Sequence, residues 1–240
     1  MLVEIKMEIE AKGLNSNMGS LFHGYIMENI DPAYAEYFHY NETNPFTSSI
    51  YRDRKTKKFI WRITTYNKKA YDMVVAYFLE NNLDKIYIKH KDLEVAIKSF
   101  EMKKSSFEDI FLSEEGKNKI DLYTVTSFKS DGRTHIFPNI QTLLKGVITK
   151  INKHSDTVKL ESDDIINEFL QKVYIRDYNL RTQNFYVEKV RIKGFIGDIT
   201  LGIMGNDPAL KQILNFLVLA SKYTGLGIKT SLGMGAVEGY

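Results

Sequence analysis

The order strand, helix, two strands joined by a hairpin, helix, strand can be read twice along this chain of 240 residues, and that doubling constrains the fold more than any other feature. Residues 2–12 set Leu2, Ile5, Met7 and Ile9 against Glu4, Lys6, Glu8 and Glu10, the pattern of a half-buried strand. A helical segment from about Ser20 is followed by a second one opened by Asp31 and Pro32, where aspartate caps and proline suits the first helical position. Tyr34, Tyr37 and Phe38 share its buried face. Arg52 to Lys58 reads as a hairpin tip, and Phe59, Trp61, Ile63 and Thr65 then alternate with Ile60, Arg62, Thr64 and Tyr66. Asn67 caps a helix whose Ala70, Tyr71, Val74, Val75, Phe78 and Leu79 recur at three- and four-residue steps, and a strand at 84–90 closes the series.

The second pass starts with a strand near 121–129 and a helix carrying Ile140, Leu143, Leu144, Val147, Ile148 and Ile151, the cleanest 3.6-residue period in the chain. Strands follow at 171–178 and 185–204, the latter bent at Gly194 or Gly197. Asp207 and Pro208 open a last helix lined by Leu210, Ile213, Leu214, Leu217 and Val218, and a terminal strand is expected at 228–237. Each series is βαββαβ, so the expected fold is α+β with two tandem ferredoxin-like (RRM-like) domains. The expected division is 1–92 for the N-terminal domain, 93–120 for a linker with an added strand, and 121–240 for the C-terminal domain.

A hydrophobic fraction of 43% with 12% aromatics is ample for packed cores. No apolar run approaches the roughly 18 residues of a membrane span, and the charged alternation from Met1 does not resemble a secretory core, so a cytoplasmic protein with no membrane partner is expected. The absence of cysteine removes disulfides, thiolate catalysis and cysteine zinc sites. The five histidines show no paired metal-ligand spacing, and neither a metal nor a cofactor is expected. A net charge of +3 is modest for a nucleic-acid binder. Cations do cluster locally, at Arg52, Arg54, Lys55, Lys57 and Lys58, but such a cluster reads as readily as a solvated hairpin tip.

The last sixteen residues hold five of the fifteen glycines. A nucleotide loop must open a helix whose N-terminus holds the phosphate. Here Gly225 and Gly227 lack a third glycine at position 230, which is Thr230, and Lys229 follows Ile228, so dinucleotide and Walker readings both fail. What remains is a glycine-rich loop after a helix, with backbone N–H groups, Lys229, Thr230 and Ser231 suited to a polyanion. Among the histidines, His39 lies near the end of its helical pattern and off the Tyr34, Tyr37 and Phe38 face. A helix C-terminus favours the imidazolium by about 0.3–1 kcal/mol, which suits proton transfer near neutral pH and equally suits a surface histidine that only complements the dipole. His23, on an opening helical turn, fits a structural role better.

Gly227-Ile-Lys-Thr-Ser-Leu-Gly-Met-Gly235 resembles the C-terminal glycine-rich loop of the CRISPR repeat-processing endoribonucleases of the RAMP superfamily. Leu21 to Glu28, Tyr34 to His39 and Asn44-Pro-Phe46 resemble that family's N-terminal region, and Thr126 to Ser130 with Phe137-Pro138 resembles its middle. The resemblance implies tandem ferredoxin-like domains and cleavage of precursor CRISPR RNA within its repeats. It implies His39 as the catalytic histidine, with Tyr25 as the tyrosine that works opposite it in some members. The lysine that completes a triad in some members is missing from residues 41–46. Charge stabilisation then falls to Arg52, Lys57 or Lys58 or to backbone N–H groups, with Thr47, Ser48 and Ser49 as hydrogen-bonding candidates, and slow, single-turnover cleavage is expected.

RNA brings its own nucleophile, so attack by the 2′-OH needs a base, an acid and a cation but no metal, and leaves a 2′,3′-cyclic phosphate and a 5′-OH. From the family's loop, RNA contact is expected at Gly227, Lys229, Thr230, Gly233 and Gly235. From its basic groove, contact is expected at Lys129 and Arg133 beside Gly132, and at Lys145 and Lys150 off the apolar stripe of their helix, while Lys222 and Lys229 bracket the loop. The expected partner is CRISPR repeat RNA. An effector complex and a homodimer are left open. The competing readings are a non-catalytic RAMP-type RNA-binding subunit of a CRISPR effector complex and a small-molecule-binding regulatory protein.

Overall fold

The computed structural model describes residues 1–40, 43–113, 116, 118–130 and 132–240, the side chains of His39 and Tyr40 excepted. The first module runs β1 (Leu2–Glu10), α1 (Gly19–Asn29), α2 (Pro32–Tyr40), β2 (Phe46–Arg52) and β3 (Phe59–Thr65). A helical stretch follows as α3 (Lys68–Ala70), a π-helical Tyr71–Val75 and α4 (Ala76–Asn81), and then β4 (Lys85–Ile88) and β5 (Leu93–Ser105). Asn67 starts that stretch as expected, its side chain accepting from the Ala70 N–H. The sheet order is β2-β3-β1-β5-β4. β1 is therefore flanked by β3 on one side and on the other by β5, paired antiparallel from Leu2↔Ser105 to Glu10↔Ala96, whereas β4 is an edge strand hairpinned onto β5. This corrects the expected boundary: the strand at 84–90 does not close the first βαββαβ series, and the expected linker supplies the closing strand instead.

A short helix, α5 (Phe107–Leu112), opened by a capping box at Ser106 and Asp109, leads to the second module. There β6 (Lys119–Thr126) is followed by a small ribbon, β7 (Phe128–Ser130) with β8 (Arg133–His135), and by α6 (Ile140–His154) and α7 (Asp163–Lys172). The long hairpin β9 (Val173–Val187) and β10 (Val190–Ile203), then α8 (Pro208–Thr224) and β11 (Val237–Gly239), complete it. The order β11-β6-β10-β9, antiparallel throughout, is the ferredoxin-like arrangement. Asp207 caps α8 with Pro208 behind it, as read from the sequence. The bend falls at Gly197, whose φ of 138° accompanies a register shift between Phe195 and Gly197. Helix α7 falls in a stretch to which no element was assigned and overlaps only the first residues of the strand expected at 171–178, and residues 230–232 form a single 3-10 turn where the terminal strand was expected to run.

The modules have separate cores, one around Val3, Ile5, Trp61 and Ile63, the other around Leu144, Val147, Leu214 and Leu217. β1 is not half-buried as expected. The start of its charged face is covered by the second module, with Glu4 and Arg62 each 1% exposed at the seam, while Glu8 pairs with Lys58 of its own module and Glu10 is exposed. The Arg62 guanidinium donates to the carbonyls of Val237 (2.6 Å) and Lys222 (2.8 Å), Thr64 donates to the Tyr223 carbonyl (2.6 Å), and Tyr51 stacks on Tyr123 at 4.6 Å. No helix is long and apolar enough to cross a membrane among the described residues.

Candidate RNA-processing site

The glycine-rich loop is shaped by backbone packing. Gly225 ends α8 at φ 64°, Leu226 N–H donates to the Gly235 carbonyl at 2.9 Å, Ile228 N–H to Ser127 at 3.0 Å, and Gly235 N–H to Val125 at 3.0 Å. The loop is thereby laid along the end of β6. A Cβ on Gly227 would stand 2.2 Å from the Ser127 carbonyl, and one on Gly235 1.9 Å from that of Leu226. On its other side the loop meets the start of α1: a Cβ on Gly19 would stand 2.6 Å from the Gly233 Cα. Gly233 and Gly235 are buried, so these two serve close approach between backbones rather than the RNA contact expected of them. Lys229 is exposed in the left-handed region at φ 58°, with Thr230 half-buried after it.

Lys150 was expected to stand off the apolar stripe of its helix and contact RNA; instead it is buried on α6 and its Nζ donates to the carbonyls of Thr224 (2.9 Å), Gly225 (3.2 Å) and Gly227 (3.5 Å). Those carbonyls lack helical partners at the end of α8 and at the loop's first turn. Burial pushes the Lys150 ammonium down to about 7. One turn on, His154 Nε2 lies 3.0 Å from both the carbonyl oxygen and the hydroxyl of Thr43, and burial, reinforced by Lys153, holds its imidazole down at about 4. Tyr66 donates its hydroxyl to the Asn44 carbonyl, and Asn44 reaches Ser231 of the loop at 3.5 Å. Residues 43 and 44 are thus tied to α6 and to the glycine-rich loop. His39 lies in the last turn of α2, four residues before Thr43; its side chain lies outside the described residues.

The other expected site residues separate into groups. Tyr25 packs edge-on to Trp61, and its hydroxyl lies 3.0 Å from that of Tyr77, which donates to Asn29; burial raises its pKa. Ser48 is fully buried and accepts the Trp61 indole N–H at 3.0 Å, which corrects the expectation that it faces substrate. His23 stacks on Phe46 at 5.8 Å, and burial holds it down at about 4. Arg52, at the far end of β2, is six residues or about 20 Å of strand from Phe46, and Lys57 lies in the turn beyond it; both are exposed. There Arg52 Nε donates to the Lys57 carbonyl at 2.7 Å and Arg54 donates to Leu122 at 2.9 Å, docking the tip on the second sheet away from residues 43 and 44.

Lys129 and Arg133, both exposed, sit on the β7–β8 ribbon, which continues from Ser127 and so borders the loop carrying Lys229. Lys145 is exposed on α6. Lys222 is engaged with Glu4 (3.2 Å) and Glu238 (2.7 Å), so it brackets the loop in sequence only. Among the described residues no group of three or more histidine, aspartate or glutamate side chains is placed to hold a metal ion. Sequence reasoning missed His154 and misplaced Lys150, although both continue the row Leu143, Val147, Lys150, His154 at steps of four, three and four.

Residues 120–237 match the family model described as CRISPR-associated endoribonuclease Cas6. Over 225 residues the chain is 28% identical to the CRISPR-associated endoribonuclease Cas6 of Streptococcus thermophilus, covering 90% of this chain and 89% of that one. The Mycobacterium tuberculosis enzyme of the same description is 26% identical over 93% of this chain and 72% of its own length. In three dimensions a Thermus thermophilus Cas6 product complex covers 100% of both chains with a TM-score of 0.85 at 18% identity.

Proposed function

We propose that this protein is a Cas6-type CRISPR-associated endoribonuclease that cuts precursor CRISPR RNA within its repeats, a reading supported by the family-model match over residues 120–237 and by its similarity to the curated Cas6 endoribonucleases. The observation that carries the reading is the junction at residues 43 and 44. The chain leaving the helix that bears His39 is bonded to α6 and to the glycine-rich loop, so an imidazole on that helix and the cations of the loop side serve one substrate. The described cations fit an RNA backbone that runs past Lys229, Lys129 and Arg133.

The reaction is transesterification by the substrate. The 2′-OH of the nucleotide before the cut loses its proton to a base and attacks the adjacent phosphorus, and the 5′ oxygen leaves with a proton from an acid. The products are a 2′,3′-cyclic phosphate and a 5′-OH. His39 is the residue assigned to proton transfer. Tyr25, held by Tyr77 in the first core, is not assigned a part. The loop cations and backbone N–H groups oppose the charge that develops on the phosphorane. This chemistry draws nothing from a metal, and a site with one histidine and no triad lysine gives slow turnover.

Labelled repeat RNA incubated with the protein, with and without EDTA, tests the reading. A single cut per repeat, resistant to EDTA and abolished by His39→Ala with binding retained, is expected. Tight binding without any cut would move the protein to the non-catalytic RNA-binding subunits instead.

A further inference from the structure

We infer that His154 is a positioning residue for cleavage, an imidazole on the last turn of α6 that fixes the chain leaving the His39-bearing helix; this rests on the endoribonuclease reading above. The Thr43 carbonyl can only accept a hydrogen bond, so the His154 Nε2 that lies 3.0 Å from it carries the proton and donates. The ring is 6% exposed and packs edge-on to Tyr66, at 5.6 Å between centroids and 75° between planes. Tyr66 in turn donates to the next carbonyl, that of Asn44. Two consecutive carbonyls are therefore taken by aromatic donors from different modules, Tyr66 from the end of β3 and His154 from α6.

The donor is itself held on both sides. The His154 carbonyl accepts from Asn67 Nδ2 at 3.2 Å, which fastens the end of α6 to the cap of the next N-terminal helix. Lys150, one turn earlier, takes three carbonyls at the entrance of the glycine-rich loop. The last two turns of one helix thus hold both the segment after α2 and the loop, and Asn44 to Ser231 closes the ring between them. A ring so buried cannot touch RNA. It acts through the backbone at position 43, and its loss should disturb the placement of the reacting groups more than the affinity for RNA. Misplacement by about 1 Å costs a reaction on the order of 100-fold.

The test is single-turnover cleavage of labelled repeat RNA at saturating protein, with RNA affinity and the thermal midpoint measured on the same samples, for wild type, His154→Ala and His154→Gln. We expect His154→Ala to slow cleavage by at least roughly tenfold while the Kd stays within about threefold. Glutamine places an amide N–H where Nε2 was and should restore most of the rate. If the alanine variant does not fold, His154→Asn replaces it, since its amide falls short of the Thr43 carbonyl and should stay slow where glutamine recovers. Cleavage by a folded His154→Ala within about twofold of wild type, or equal rates for the alanine and glutamine variants, overturns the role. When wild type cuts and His39→Ala does not, such a result sinks this inference alone. A wild-type protein that binds repeat RNA without cutting it sinks the function and the role together.

Discussion

Arg62 and Glu4 form a closed ion pair at the seam between the two modules, Nε to Oε1 at 2.7 Å with both side chains 1% exposed. Burial alone would raise the Glu4 carboxyl, but the cations of Arg62, Lys222 and Lys6 outweigh it and hold it at about 2, against an ordinary 4.5. A carboxyl lowered on folding contributes stability that is complete above the unfolded pKa and is lost as pH falls through the folded one. The wild type should therefore lose on the order of 3 kcal/mol between about pH 5 and pH 2 through this group. Denaturant unfolding across that range should show Glu4→Gln less stable by roughly 3–5 kcal/mol at neutral pH, because Arg62 is left buried without its partner, and with a correspondingly flatter acid limb. Equal acid limbs for the two proteins would contradict the assignment.

Gly227 and Gly132 have similar positive φ, 77° and 73°, in different surroundings. A Cβ at Gly227 would collide with the Ser127 carbonyl, whereas at Gly132 nothing lies within 4 Å. Gly132→Ala should cost about 1 kcal/mol for the left-handed backbone alone. Gly227→Ala should cost clearly more and weaken RNA cleavage, since the loop cannot lie against β6. Thermal melts and a cleavage assay on the two variants separate the effects.

Lys229, Lys129 and Arg133 are expected to meet phosphates. Replacing any one by alanine should weaken repeat binding and reduce the slope of log K against log salt by about 0.7. Lys222→Ala should leave that slope unchanged, because its ammonium is engaged with Glu4 and Glu238. Filter binding over a salt series reads both.

Ser48→Ala should act on stability and not on chemistry. It leaves the buried Trp61 N–H without an acceptor, at a cost of about 1–3 kcal/mol, while the cleavage rate of the folded protein stays at the wild-type value. A folded variant with lost activity would return Ser48 to the site.

The doubled βαββαβ order was legible because its signals are local: Asn67 and Asp207 cap where expected, and the apolar stripe of α6 is buried as its period requires. β5 was missed as a closing strand because most of it is exposed, so Lys98, Glu101, Lys103 and Lys104 hide its pairing with β1 from any hydrophobic pattern. Helix α7 was missed because only its Phe169 and Leu170 are buried, between charged turns. Glu4 and Arg62 were read only as the polar alternation of their strands, and Lys150 as an RNA contact, because burial by another module, or by a loop far along the chain, leaves no mark on neighbouring residues. The same holds for His154, whose partner lies 111 positions away.

The most direct test of the central claim, that the RNA is cut by its own hydroxyl, is to offer the protein repeat RNA carrying a single 2′-deoxy nucleotide on the 5′ side of the scissile phosphate. We expect binding to persist, cleavage at that position to vanish, and the all-ribose control to yield a 2′,3′-cyclic phosphate and a 5′-OH. Cutting of the deoxy substrate at the same phosphate, or products ending in a 3′-OH and a 5′-phosphate, would contradict the account.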